Sequence, residues 1–483
     1  MNNPAGQSPA PLPALERDVS TPLHRQIYLR FRTAIEQGVL KPGERVASAR
    51  SLASALNVAR GTVEAAYGQL AGEGYLIARG PAGTVVSPAL PARLVEPRRA
   101  AAGHVERGAA PAAPDVARMP PLLPLQLGVP AFDAFPRKLW ARLAARRIRA
   151  IGVSDMDYGD PAGHLPLREA IAAYLGVSRG VPCSAAQVFV TGGYRASLAL
   201  AARVLLEPGA QVWVEDPGFP PTGGVLGDAG MRPVAVPVDA EGLRVDLGRH
   251  RAAAARMAVI TPSHQAPLGV SMSLPRRLQL LDWASRARAW IVEDDYDGEY
   301  HYASAPLPAL KSLDGHDRVL YAGSFSKSLY PGLALGYLVV PQRQCQAFDA
   351  ALRAGSNGCP QLMQAIVADF MHEGHFARHL RKMRLLYARR RAFLEQALQQ
   401  AFGDAVAVAL QGGGMHLIAR FPGAQEGDAA LARRAQAAGL NAQALSERCA
   451  SAREQGLLMG FTNIASQVQA RRVVKRLQAA LAL

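Results

Sequence analysis

Cysteine is scarce in this sequence. The four, Cys183, Cys345, Cys359 and Cys449, are scattered and form no CxxC pair. Neither a disulfide framework nor a zinc site is implied, metal is not expected, and a reducing cytoplasm fits. Long apolar runs are missing too: no stretch reaches the roughly eighteen residues that a membrane helix needs. The start, Met1 to Leu12, is rich in Pro, Ala and Asn and lacks the charged lead and apolar centre of a secretory signal. Acidic charge is also short. Against 54 Lys and Arg stand 38 Asp and Glu, a net charge of +16, which favours an anionic partner. What is abundant is apolar content, 49% of 483 residues. That supports a large core and, by length, about two to four domains.

The first folded pattern begins at Thr21. Leu23, Ile27, Phe31 and Ile35 recur at helical spacing, and Gly38 ends the helix. Lys41-Pro-Gly43 turns the chain, and Ser48 is placed to cap a second helix carrying Leu52, Ala53 and Leu56 inward. Asn57-Val58 is a tight turn. A third helix from about Arg60 turns Val63, Ala66, Tyr67 and Leu70 inward, and Gly74 stops it. Tyr75 to Arg79 and Thr84 to Val86 then form a hairpin around Gly80 and Gly83. Helix, turn, helix, hairpin is the order of a winged helix-turn-helix. From 88 to 125 the chain is rich in Pro, Ala and Arg without an apolar period, which makes it a linker. Its Arg98, Arg99 and Arg107 are solvated charges or touch phosphate.

The remainder is organised around Tyr321-Ala-Gly-Ser-Phe-Ser-Lys-Ser328. A buried strand leads in, and Lys327 follows just past its end. A lysine among small hydroxylated residues such as Ser324 suits a Schiff base with an aldehyde cofactor whose phosphate the hydroxyls and N–H groups hold. A second strand, Trp290 to Glu293, turns acidic at its end. Asp294 and Tyr296, two apart, point to one side if the strand continues. A carboxylate can keep a pyridine nitrogen protonated, and a phenol can donate to the ring oxygen. Asp294 and Lys327 are 33 residues apart, room for a loop and a return strand. Val188 to Leu198 is a strand, a glycine turn and a helix start, with Gly193, Tyr194 and Arg195 at the phosphate position.

These words, with Tyr158-Gly-Asp-Pro-Ala-Gly163, Glu215-Asp-Pro-Gly-Phe219 and Gly374-His-Phe-Ala-Arg378, resemble the fold type I pyridoxal-phosphate enzymes of the aspartate aminotransferase superfamily, from about Gln126 to Leu483. The resemblance implies an α/β domain in which Phe219 stacks on the cofactor ring. The head resembles the GntR-type DNA-binding domain through Pro42-Gly-Glu-Arg45, Ser51-Leu-Ala53, Arg60-Gly-Thr-Val63 and Glu73-Gly-Tyr-Leu76. That resemblance puts the third helix in the major groove, with Arg60 and Thr62 at base edges or phosphate. It puts Ser48 and Arg50 on the backbone, and Arg79 and Gly83 at the minor groove.

Together the chain resembles the MocR subfamily of GntR regulators. Its expected organisation is multidomain: a tail over 1–20, an α+β winged helix-turn-helix over 21–87, a linker over 88–125 and an aminotransferase-like domain over 126–483. The resemblance implies pyridoxal 5'-phosphate bound at Lys327, and a cytoplasmic homodimer in which Tyr158 crosses to its partner's phosphate. It also implies promoter DNA as a partner and the cofactor, an amine or an amino acid as the signal.

Five departures stand out. Val46-Ala-Ser-Ala-Arg50 lacks the proline usual in the head family, and Gly61 is an awkward residue early in a recognition helix. Ala266 replaces the asparagine that contacts the ring oxygen in many transaminases, leaving Gln265 or His264 as substitutes. Ala334 stands where similar proteins carry a phosphate-binding arginine, a charge that Arg195 is placed to restore. Leu458 stands where transaminases hold the substrate carboxylate with another arginine. A regulator is therefore expected; a transaminase with a tethered DNA-binding head, and a core that has lost its cofactor, remain open.

Overall fold

The computed structural model describes residue 15 and residues 21–80, 83–88, 122–302, 308–355, 358–450 and 454–482. All of the expected tail except Leu15, and the linker arginines Arg98, Arg99 and Arg107, lie outside the described residues. The chain divides into two compact units, Met1–Arg118 and Met119–Leu483.

In the first unit, α1 (Leu23–Glu36), α2 (Ala49–Leu56) and α3 (Arg60–Gly72) precede a hairpin of β1 (Leu76–Ala78) and β2 (Thr84–Val86). The Ser48 hydroxyl accepts from the Ser51 N–H and caps α2, while Asn57 takes a left-handed conformation at its end. This fixes the short turn into α3. The helical spacing seen in the sequence delivers one core of Ile27, Phe31, Ile35, Leu52, Val63, Ala66, Tyr67, Leu70, Leu76 and Val86. Phe31 and Tyr67 meet edge to face at 5.2 Å, and the Tyr67 hydroxyl donates to the Ala47 carbonyl. The hairpin pairs Leu76 with Val86 and Ala78 with Thr84. The segment before α2 adds a third rung, since Val46 N–H donates to Thr84 and Val86 N–H to Glu44.

The second unit is built on a mixed eight-stranded sheet. Its strands are β3 (Val188–Thr191), β4 (Gln211–Asp216), β5 (Arg232–Asp239), β6 (Gly242–Leu243), β7 (Met257–Ile260), β8 (Trp290–Asp295), β9 (Val319–Ser324) and β10 (Gly336–Val339). Their order is β3-β10-β9-β8-β7-β4-β5-β6. Strands β4, β5, β7, β8 and β9 run parallel. β10 runs against both β3 and β9, so β3 shares the parallel direction. The central strands β7 and β8 are buried along their whole length, as expected of strands covered on both faces. The carboxyl ends of β3, β4, β7, β8 and β9 therefore open on one edge, where ligands of such sheets bind.

A second sheet, ordered β11-β12-β14-β13, follows. It comprises β11 (Ala407–Ala409), β12 (His416–Arg420), β13 (Gln443–Ala444) and β14 (Leu457–Gly460). The 28-residue helix His375–Phe402 precedes it, and the helix Gln467–Leu481 closes the unit. The N-terminal segment of the unit is tied to β14 by the Gly460 N–H to the Leu125 carbonyl, 2.8 Å.

Candidate cofactor site and DNA-binding head

β9 ends at Ser324, whose hydroxyl accepts from the Ser326 N–H and starts the four-residue helix Phe325–Ser328. That turn carries Lys327 off the sheet edge. Its Nζ donates to the Gly128 carbonyl at 2.6 Å. Gly128 has φ +68, and a Cβ there would lie 2.5 Å from Nζ. Only glycine leaves room for the amine in this place. Burial lowers the Lys327 pKa, with Asp297 and Asp294 pulling against that change. A buried amine that sheds its proton readily is a better nucleophile toward an aldehyde.

The acidic run that ends β8 and continues to Asp297 is buried, and each of its carboxylates but one is matched. Glu293 accepts the N–H groups of Leu310 and Lys311, both at 2.8 Å. Asp295 pairs with Arg179 at 2.7 Å and accepts from the Tyr321 hydroxyl. Asp297 faces His264 at 3.2 Å. The Asp294 carboxylate makes no hydrogen bond among the described residues, although its backbone is paired in the sheet. It lines a cavity of about 210 Å³ with Tyr194, Phe219, Thr222 and Thr261. Burial and the neighbouring carboxylates push its pKa well above the usual value. A cationic N–H beside it would restore the charged form, which is what a protonated pyridine nitrogen supplies. The pyridoxal group fits the residues on this ground.

β8 stops at Asp295, so strand alternation does not set the direction of Tyr296. Its hydroxyl lies 3.0 Å from Nδ1 of His264. Of the two substitutes for the missing asparagine, Gln265 is already committed. Its amide donates to Glu215, Pro217 and Ala266, and its oxygen accepts the Leu268 N–H. His264, whose Nε2 is buried without a partner among the described residues, is the group that meets Tyr296.

At the phosphate position, Gly193 (φ +103) precedes the helix Tyr194–Leu205, whose first N–H groups lack intrahelical partners. The Tyr194 hydroxyl bonds Thr222 at 2.8 Å, and its ring meets Phe219 edge-on at 5.9 Å. Arg195 is exposed, and Ala334 is exposed in a left-handed turn. The cavity brings together Asp294, Phe219 and Tyr194. Lys327, Tyr296, Ser324, Gly193 and Arg195 are not among its lining residues. Tyr158 is 78% exposed. Leu458 is buried in β14 against Ile418 and Leu445 and offers a ligand nothing. Gly128 and the Asp297–His264 pair escaped the sequence reading. Their spacing carries no signal, because the contacts form between segments distant in the chain.

In the head, Arg50, Arg60 and Arg79 are exposed and Thr62 is half-buried. Arg60 reaches along α3 to Glu64 at 2.7 Å. The Ser48 oxygen is occupied as a cap acceptor, and its proton remains free to donate. Gly83 (φ +89) sits against the Arg45 guanidinium, 2.8 Å from where a Cβ would be. The Arg45 guanidinium thus lies against the wing turn, where the Arg79 N–H donates to the Gly83 carbonyl. No contact explains Gly61: a Cβ there would meet nothing within 4 Å.

Residues 23–86 match the family of bacterial regulatory proteins of the gntR type, and residues 121–456 match aminotransferase class I and II. The Probable rhizopine catabolism regulatory protein MocR of Rhizobium meliloti is 38% identical over 456 residues, covering 93% of this chain and 92% of that one. The HTH-type pyridoxine biosynthesis transcriptional regulator PdxR of Corynebacterium glutamicum is 33% identical, covering 93% and 94%. Among solved structures, LysN, the alpha-aminoadipate aminotransferase of Thermus thermophilus, superposes with a TM-score of 0.67 at 28% identity, over 75% of this chain and 92% of that one. LysN matches the core alone, whereas the MocR and PdxR proteins, which match over head and core together, are named as regulators. The chain belongs to the MocR-type GntR family, in which a helix-turn-helix head is joined to a class I and II aminotransferase domain.

Proposed function

We propose that this protein is a transcription regulator that binds promoter DNA through its head and pyridoxal 5'-phosphate through its core. The observation that carries the cofactor half is the unmatched, buried Asp294 carboxylate in the cavity beside Phe219. When bound, the cofactor supplies an aldehyde that condenses with amines and a ring that takes up electrons. Lys327 provides the amine, Asp294 holds the ring nitrogen protonated, and Tyr296, steadied by His264, faces the ring oxygen. Gly193, Tyr194, Arg195 and Ser324 serve the phosphate. An amine or amino acid that competes for the cofactor with Lys327 is the signal, which acts by favouring one arrangement of the core over another.

The working unit is a homodimer. Val153, Met156 and Tyr158 are 88%, 76% and 78% exposed, an apolar patch of the kind that covers itself with a second chain. Tyr158 from one chain serves its partner's phosphate.

The chief alternative is a transaminase whose head is a tether. The intact Lys327, Asp294 and Tyr296 favour it; Ala334 and the buried Leu458 do not. Steady-state turnover with amino donors and titration of promoter fragments separate the two. Specific promoter binding without multiple turnover supports the regulator. Sustained turnover without specific DNA binding overturns it.

A further inference from the structure

Just beyond Asp294, three side chains meet at one nitrogen. His264 Nδ1 lies 3.0 Å from the Tyr296 hydroxyl and 3.2 Å from each oxygen of the Asp297 carboxylate. The His264 and Asp297 side chains are 3% and 1% exposed. The imidazole is held to this meeting from behind. A Cβ on Gly414 would come within 2.1 Å of its Cε1, and the Gly414 N–H is itself fixed by the Tyr300 carbonyl at 2.8 Å. The turn between β11 and β12 therefore sets the ring in place, which it can do only because residue 414, at φ +85, carries no side chain.

A carboxylate only accepts hydrogen bonds. Nδ1, facing both of its oxygens, therefore carries a proton and donates it to Asp297; a bare nitrogen there would set lone pairs against lone pairs. The far side of the ring agrees. Nε2 is buried without a partner among the described residues, so a proton on it would be an unpaired buried donor, which is costly. The other ionisable groups facing the ring leave this undisturbed. His416 on β12, 6.1 Å away ring to ring, is held neutral by burial, which lowers its pKa to about 4, and burial lowers that of His301 too. Tyr296 stays a phenol, because burial, then Asp297, Asp294 and Glu215, keep its pKa well above the usual value. Its proton has two competing acceptors: Asp297, and the ring oxygen of a bound cofactor. The His264 N–H weakens the first.

The geometry points to His264 as a positioning residue that occupies Asp297 and so leaves the Tyr296 proton for the cofactor's ring oxygen. This rests on the cofactor reading above and deepens it: the asparagine missing at Ala266 is compensated through Tyr296. The consequence is electrostatic. Negative charge on the ring oxygen holds the proton of the nitrogen that joins the cofactor to Lys327, and a hydrogen-bond donor to that oxygen weakens the hold. His264 thereby helps to set the pH at which this nitrogen loses its proton and the cofactor changes its visible absorbance.

The test uses the full-length protein loaded with pyridoxal phosphate and reads the pH midpoint of its visible absorbance. Tyr296→Phe should raise that midpoint by about one to two pH units, the worth of one hydrogen bond to a charged oxygen. His264→Phe keeps a ring in place and removes the N–H without removing a charge. The Tyr296 proton then turns to Asp297, and the midpoint should rise by most of the same amount. Added to Tyr296→Phe it should change nothing further, since both act through one proton. His264→Asn, whose amide can still donate to Asp297, should bring the midpoint back toward the parent value. The assignment is overturned if His264→Phe leaves the midpoint where it was, if its effect adds in full to that of Tyr296→Phe, or if His264→Asn behaves like His264→Phe. Nitrogen NMR of the histidine-labelled parent, with His264→Asn identifying the signal, reads the tautomer whether or not His264→Phe folds. A protonated Nδ1 and a bare Nε2 are expected, and the reverse overturns the assignment. Absence of any cofactor absorbance in the unsubstituted protein would instead fell the cofactor reading, and this inference with it.

Discussion

Lys327 depends on a residue 199 positions away. The Gly128 carbonyl receives its Nζ, and the missing side chain of Gly128 is what makes room for it. Gly128→Ala should therefore act twice. A left-handed alanine costs about 1 kcal/mol of stability, seen as a lower denaturation midpoint. The added methyl group should also displace Nζ and reduce cofactor loading, a loss that stability alone would not cause. Full loading of a folded variant would contradict this placement. Glu293 tests the electrostatics. Burial holds its pKa at about 7, above the usual carboxylate value, despite the two N–H groups it accepts. A raised folded pKa means that the group favours the folded state fully below about pH 4.5, and that this contribution is lost as pH rises through about 7. Denaturant unfolding of the cofactor-free protein should show stability falling between pH 5 and 8. At most about 3 kcal/mol of that fall belongs to this group. Glu293→Gln should flatten the profile; an unchanged slope would show that Glu293 does not titrate there.

Among the elements, α3 is the one whose surface matters most. Arg60 is exposed and, among the described residues, pairs with Glu64 four residues on, an interaction worth about 0.3–0.5 kcal/mol. Arg60→Ala should leave the thermal midpoint nearly unchanged and weaken promoter binding by about 1–3 kcal/mol if it reads a base. If it meets phosphate, the salt slope should shrink by about 0.9. A variant binding as tightly as the parent, with the same slope, would remove Arg60 from the interface. The helices and hairpin of the head were legible in the sequence because their contacts are local: Ile27, Phe31 and Val63 follow a helical period, and Ser48 is an unambiguous cap. The strands leading to Asp294 and Lys327 were legible as short apolar runs. Illegible were the long-range partners. Nothing in the spacing says that Arg179 neutralises Asp295, that Gln265 is consumed by Glu215 and Pro217, or that β8 ends before Tyr296.

For the whole molecule, the proposed regulator works through two heads on one dimeric core, since paired heads read paired half-sites. Replacing Val153 and Met156 by Asp should split the dimer, because two exposed apolar side chains in the proposed contact become charges that self-association would bury. Light scattering should then report a single chain of 51.3 kDa, with promoter affinity reduced. A variant that stays dimeric would move the interface elsewhere. The chemistry on which the proposed function rests is the covalent capture of pyridoxal phosphate by Lys327. The direct measurement is borohydride reduction of the cofactor-loaded protein followed by peptide mass mapping. The phosphopyridoxyl mass should appear on the peptide containing Lys327 and vanish in Lys327→Ala. Its absence there, or its presence on another lysine such as Lys311, would show that Lys327 does not hold the cofactor.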